Sequence, residues 1–236
     1  SAHEFAPLIL ALLFPVIIVQ LGMSGIRQAL AGGFLMLSFN SFAKKQKLWT
    51  AMWILIGMQF HTSVVMFLPI SFLAGREVNA LRLFIAMLIL GPIAALLLAD
   101  RFDTYESRYI SSTVTSSGAV IRYALVLLPV PIFLFYREKI KAVFPKVFPL
   151  LKLSSIIILS LAPLVFLSTI ALHRLNFYIM PLSVIIFVYA TAVMSKKTSQ
   201  MQWLPVMAYG VYSVLWFLSS KHAQSCYVPY QNIWFV

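Results

Sequence analysis

Long apolar runs separated by short polar or charged clusters set the pattern of this chain. Phe5 to Gly22 is the first run, and Ile26 to Ala43 the second, closing on Lys44, Lys45 and Lys47. Leu48 to Ala74 follows, interrupted by His61 and Pro69. Ala80 to Ala99 ends at Asp100, and Ala119 to Tyr136 ends at Arg137, Glu138 and Lys139. Leu150 to Leu172 stops at His173 and Arg174, Phe177 to Met194 at Lys196 and Lys197, and Trp203 to Ser219 precedes an aromatic tail. Each clean run approaches the ~20 residues with which a helix crosses a hydrocarbon core of about 30 Å. Lipid offers the backbone no hydrogen-bond partner, so helices are the default spanning element. The runs also lack the alternation of a barrel strand. The expected fold is therefore all-α, a polytopic transmembrane helical bundle. It comprises about seven full spans plus a short re-entrant hairpin, within one integral-membrane domain covering residues 1–236.

Basic loops stay in the cytoplasm, which places Lys44, Lys45, Lys47, Lys139, Lys141, Lys146, Lys196 and Lys197 inside. The first two clusters share a side only if Leu48 to Ala74 goes out and comes back. As one helix that run would be about 40 Å long at 1.5 Å per residue. As a hairpin turning near His61-Thr62-Ser63, its arms are short for full spans. On this topology every lysine except Lys221 falls inside or at the inner interface. Arg27, Arg101, Arg108, Arg122 and Arg174 fall at or near the outer face. Topology alone gives no reason to leave guanidinium groups outside.

Composition agrees with the pattern. Of 236 residues, 61% are hydrophobic and 10% charged, and the mean hydropathy is +0.93. Soluble domains run nearer 45–50% apolar and about 25% charged. The lone Cys226 excludes an internal disulfide. A net charge of +12 would suggest nucleic acid in a soluble protein, but here it belongs to membrane topology and the outer arginines, and no nucleic-acid partner is expected. The amino terminus, Ser1-Ala2-His3-Glu4, has no basic segment of the kind that opens a signal peptide.

The outer polar set carries the candidate chemistry. Ser24-Gly25-Ile26-Arg27-Gln28 reads as a tight turn, His61-Thr62-Ser63 as the hairpin tip, and His173 to Tyr178 as another short turn. The longest outer loop, Asp100 to about Gly118, holds Asp103, Tyr105, Glu106 and Arg108, with Arg122 just inside the next helix. The tail supplies Tyr227, Tyr230 and Trp234. A guanidinium donates two parallel hydrogen bonds and never deprotonates, so it suits phosphate better than an ammonium does. Several together suit a pyrophosphate head group. Each also has an ordinary reading. Arg27 snorkels from a helix end, His61 is a hydrogen-bonded helix breaker or a base, and Arg101, Asp103, Glu106 and Arg108 form loop salt bridges. The tyrosines and Trp234 sit in an interfacial belt. No zinc spacing, phosphate-binding glycine loop, dinucleotide fingerprint or nucleophile elbow is present. No metal and no cofactor are expected.

The run Ile26-Arg27-Gln28-Ala29-Leu30-Ala31, then Phe60-His61-Thr62-Ser63, then Arg174-Leu175-Asn176-Phe177-Tyr178, and finally Tyr227-Val228-Pro229-Tyr230 resembles the EpsG-like branch of the Wzy-type polysaccharide polymerases. The resemblance covers most of the chain and rests on the order of short motifs. At the third motif the sequence departs from the family pattern, with His173 where an acidic residue is expected. Family members carry further spans before the Arg-Gln motif, so the chain is expected to lack an N-terminal portion. The resemblance implies a multi-pass glycosyltransferase of the bacterial inner membrane, making O-antigen, capsule or exopolysaccharide. It would transfer a glycan from undecaprenyl pyrophosphate to a sugar hydroxyl of another lipid-linked repeat unit. Its partners would be that lipid-linked glycan, the bilayer and a chain-length regulator. Arg27, Arg122 and Arg174, with Arg108 behind them, would then stabilise the departing pyrophosphate. His61 would be the base, with Asp103 or Glu106 as alternatives, and Tyr178 and Tyr230 would orient sugar or phosphate. Two other classes also suit a cationic membrane site: a lipid-linked glycan flippase, and an acyltransferase acting on envelope glycans.

Overall fold

The structure is a computed structural model that describes residues 5–22, 25–98, 117–194 and 203–226. Those residues are all-helical, without strands. The first run folds as α1 (Ala6–Leu13) continuing into a π-helical segment, Phe14–Gly22. The second is α2, Ile26–Ala43, with the limits the apolar pattern predicts.

The third run goes out and back. α3 (Lys47–Phe60) ends where His61 adopts an extended backbone. A 3-10 turn, Thr62–Phe67, and the short α4, Ile70–Leu73, then pack back against α3. Gly75 closes the excursion with φ +79, a left-handed conformation that costs a glycine little. A Cβ placed there would lie 3.5 Å from the Cβ of Lys45. The chain therefore returns to the turn it left, as the lysine arithmetic requires.

α5 (Ala80–Leu98) presents Leu81, Phe84, Leu88 and Leu96 outward, a surface suited to hydrocarbon rather than water. α6 (Ser117–Leu127) and α7 (Pro129–Val143) form one bent rod across Leu128, where the prolines at 129 and 131 remove backbone donors. α8 (Phe148–Ser160) and the single turn α9 (Leu164–Leu167) lead to α10, Thr169–Met194. α11 (Leu204–Ser219) and α12 (Lys221–Cys226) complete the described residues. Among the described residues, three stretches are long and apolar enough to cross a membrane: Gly118–Val143, Phe148–Leu167 and Thr169–Met194. Ala6–Gly22, Thr62–Leu73, Ala80–Ala94 and Leu204–Ser219 are apolar but shorter, so helix length does not by itself yield seven full spans.

One expectation is overturned. His173 to Tyr178 is not a turn between spans but lies inside α10. The break comes earlier, at Ser168, whose backbone is extended and whose Oγ accepts the Ala171 N–H at 3.2 Å. That is an N-cap, and it fixes where the helix begins. Nothing from His173 to Tyr178 opposes helix, so α10 runs straight through.

α10 is the hub, with 83% of its spanning window buried by protein against 39% for each of the other two long stretches. An all-round apolar helix of this kind belongs at the centre. Polar rungs hold α6 beside it. The Asn176 side-chain amide donates to the Ala119 carbonyl at 3.1 Å, and the Ser183 hydroxyl to the Val126 carbonyl at 2.7 Å. Both rungs span the same 57 positions of sequence, so α6 and α10 run parallel. Interhelical hydrogen bonds of this sort supplement packing where lipid supplies little hydrophobic drive.

Candidate functional site

The polar residues gather at the end of the bundle away from Lys45 and Gly75. The start of α2, the His61 tip, the start of α6 and the first two turns of α10 meet there. Arg27 opens α2 and is exposed, and among the described residues it makes no hydrogen bond. Its neighbour Gln28 turns inward and is buried. Gln28 donates from Nε2 to the Arg174 carbonyl at 2.8 Å and accepts from Arg174 Nη1 at 3.3 Å. This reciprocal pair pins α2 to α10 and ties the exposed Arg174 side chain to the start of α2.

His61 sits opposite. Its Nδ1 lies 2.7 Å from Ser63 Oγ and 3.0 Å from the Tyr178 hydroxyl, and those two oxygens are themselves 3.0 Å apart. Nε2 has no partner among the described residues. Arg174 and Arg27 are near enough for their charges to act on the ring. Two hydroxyls thus hold the imidazole through Nδ1, within electrostatic reach of two guanidinium groups. Tyr178 is fully buried, packed edge-on to Phe67 at 5.8 Å. It backs His61 and does not itself stand open to a sugar.

A second cluster lies deeper. Arg122 is only 4% exposed. Its Nε donates to the Tyr212 hydroxyl at 3.0 Å, Nη2 to Gln20 Oε1 at 3.5 Å, and Nη1 to His173 Nδ1. Its guanidinium carbon lies 4.8 Å from the Phe177 ring centroid. The Tyr212 hydroxyl also donates to Gln20 at 3.4 Å. One side chain therefore ties the π-helical segment, α6, α10 and α11. Arg122 is accordingly enclosed and braces four elements, at a position to which the resemblance gives a role beside the departing pyrophosphate. His173 feels both Arg122 and Arg174, so the two clusters are continuous through neighbouring residues of α10.

Charge sharpens the picture. The ion pairs among the described residues are Arg82 with Glu77 and Arg137 with Glu138, all well exposed and away from this end. No described carboxylate meets Arg27, Arg122 or Arg174. Guanidinium groups of this kind suit an anionic group through charge-assisted hydrogen bonds.

Of the residues predicted from sequence, the structure brings together Arg27, His61, Arg122, Arg174 and Tyr178. Asp103, Glu106, Arg108 and Tyr230 lie outside the described residues, as does most of the loop from Asp100. Sequence reasoning placed Gln28, Ser63 and His173 in the outer polar set without giving them partners, and assigned no role to Gln20 or Tyr212. Their common signal is polarity within an apolar run, which marks intramembrane function by default.

No curated protein and no solved structure matches the chain. The family model described as the EpsG family matches residues 2–232, nearly the whole chain. With its apolar helices and its cationic site, this chain is a membrane protein belonging to the EpsG family, the family of Wzy-type polysaccharide polymerases.

Proposed function

We propose that the chain is an integral-membrane glycosyltransferase that polymerises undecaprenyl-pyrophosphate-linked oligosaccharide repeat units at the outer face of the bacterial inner membrane. The observation that carries this reading is the pair of exposed guanidinium groups, Arg27 and Arg174, within electrostatic reach of a histidine whose Nε2 is free of described partners. In the reaction the bond between the anomeric carbon of the donor glycan and the pyrophosphate oxygen breaks. The acceptor hydroxyl oxygen forms the new glycosidic bond to that carbon. His61 Nε2 takes the hydroxyl proton. Undecaprenyl pyrophosphate departs with its developing negative charge held by Arg27 and Arg174. Gln28 presents Arg174, and Ser63 with Tyr178 orients His61.

The lysine-rich end of the bundle would face the cytoplasm by charge bias, which puts the cationic site at the outer leaflet. Substituting Arg27→Ala in the host and resolving glycan chain lengths tests the reading. A polymerase variant still exports single repeat units but makes no long chains. Loss of exported single units would instead mark a flippase, and loss of acyl groups from chains of normal length an acyltransferase. Either result would sink the proposal.

A further inference from the structure

His173 has a different role from His61, and hydrogen-bond donor counting separates them. Arg122 points Nη1 at His173 Nδ1. An arginine nitrogen carries only donors and stays protonated in proteins. The nitrogen it meets must therefore offer a lone pair, so His173 Nδ1 is unprotonated and the ring proton resides on Nε2. An imidazolium here would set one N–H against another. His61 is not fixed in this way, because the Ser63 and Tyr178 hydroxyls can each donate or accept.

We infer that His173 is a neutral hydrogen-bond donor to a diphosphate anion, acting through Nε2–H beside Arg174, with Arg122 as the positioning residue that fixes its tautomer. The ring is held further by Phe177, edge-on at 5.2 Å, and Nε2 has no partner among the described residues. His173 is half-buried, one position before the exposed Arg174 on α10. Its charged neighbours are Arg122 and Arg174. Gln20 and Tyr212 anchor the far side of Arg122. A neutral imidazole polarised by a cation behind it donates without adding a titratable charge, the same division of labour by which some enzymes use one histidine as electrophile and another group as base. The identity of the ligand rests on the polymerase reading, whereas the tautomer follows from the contacts alone.

Purified protein with 15N-labelled histidine, in nanodiscs, tests the inference against inorganic pyrophosphate. A His173→Ala spectrum assigns the ring signals. The expected wild-type spectrum shows Nδ1 unprotonated and Nε2 protonated across pH 5 to 8, and pyrophosphate shifts the Nε2 signal. Losing one hydrogen bond to a charged group, His173→Ala should weaken pyrophosphate binding roughly tenfold or more. His173→Gln, which keeps an N–H near the Nε2 position, should recover most of that loss. In Arg122→Met the ring should populate both tautomers. If that variant does not fold, the wild-type spectrum still decides. A protonated Nδ1, an Nε2 signal indifferent to pyrophosphate, or full binding by His173→Ala would each overturn the inference. Polymer length in the Arg27→Ala strain is scored separately, so failure of the polymerase reading and failure of the His173 assignment are distinguishable.

Discussion

At Gly57 α3 passes close to both α2 and the 3-10 turn, and its replacement by alanine tests what seats His61. A Cβ at Gly57 would stand 3.2 Å from the Cβ of Phe34, 3.3 Å from the Ala31 carbonyl oxygen and 3.3 Å from Val64 Cγ1. Two of those contacts belong to α2 and the third to the 3-10 turn, so relief on one side tightens another. Overpacking of this kind costs about 1–3 kcal/mol. Alanine's better helix propensity returns up to about 1 kcal/mol. The expected net effect of Gly57→Ala is a loss of roughly 0–3 kcal/mol. Gly33→Ala on α2 is the control, because a Cβ there meets nothing within 4 Å. It should gain up to about 1 kcal/mol from propensity alone. The two variants make the same chemical change, yet their stabilities should differ by about 1–3 kcal/mol, measured by equilibrium unfolding in mixed detergent micelles. Function should follow, because the His61 N–H bonds to the Gly57 carbonyl at 3.1 Å and moves with it. Gly57→Ala should therefore shorten the polymer while Gly33→Ala leaves its length unchanged. Equal stabilities with equal polymer lengths would refute the claim that the α2–α3 approach positions the histidine.

Three further outcomes are expected. Ser168→Ala removes the cap of α10 and should cost about 1 kcal/mol in the same unfolding assay; no loss would mean that the helix start is set by packing. Gln28→Ala removes both bonds to Arg174 and should destabilise by about 1–3 kcal/mol. It should also shorten the polymer, whereas unaltered glycan lengths would show that Arg174 needs no support from α2. Tyr178→Phe keeps the ring against Phe67 but deletes the hydroxyl behind His61, so stability should fall by only about 1 kcal/mol while the rate of chain extension drops. A normal rate would release Tyr178 from its orienting role.

The sequence alone determined the material of this protein: apolar runs of spanning length, the exact limits of α2, the excursion that turns at His61, and most lysines placed at the end opposite Arg27, Arg122 and Arg174. These are local or additive properties. Run length and charge can be read without knowing what packs on what, and burying a helical backbone in lipid leaves few alternatives. Even so, a continuous apolar run concealed the Ser168 cap, because apolarity reports burial and not helix ends. The reciprocal bonds of Gln28 and Arg174 join residues 146 positions apart, and those of Arg122 reach 51, 90 and 102 positions away. Only tertiary structure could show that Arg122 is enclosed while Arg27 is open, or that one histidine is locked as a donor while the other is not. Side chains of one type have the same intrinsic chemistry wherever they lie in the chain, and what separates their roles here is which distant partner the folded bundle sets against each.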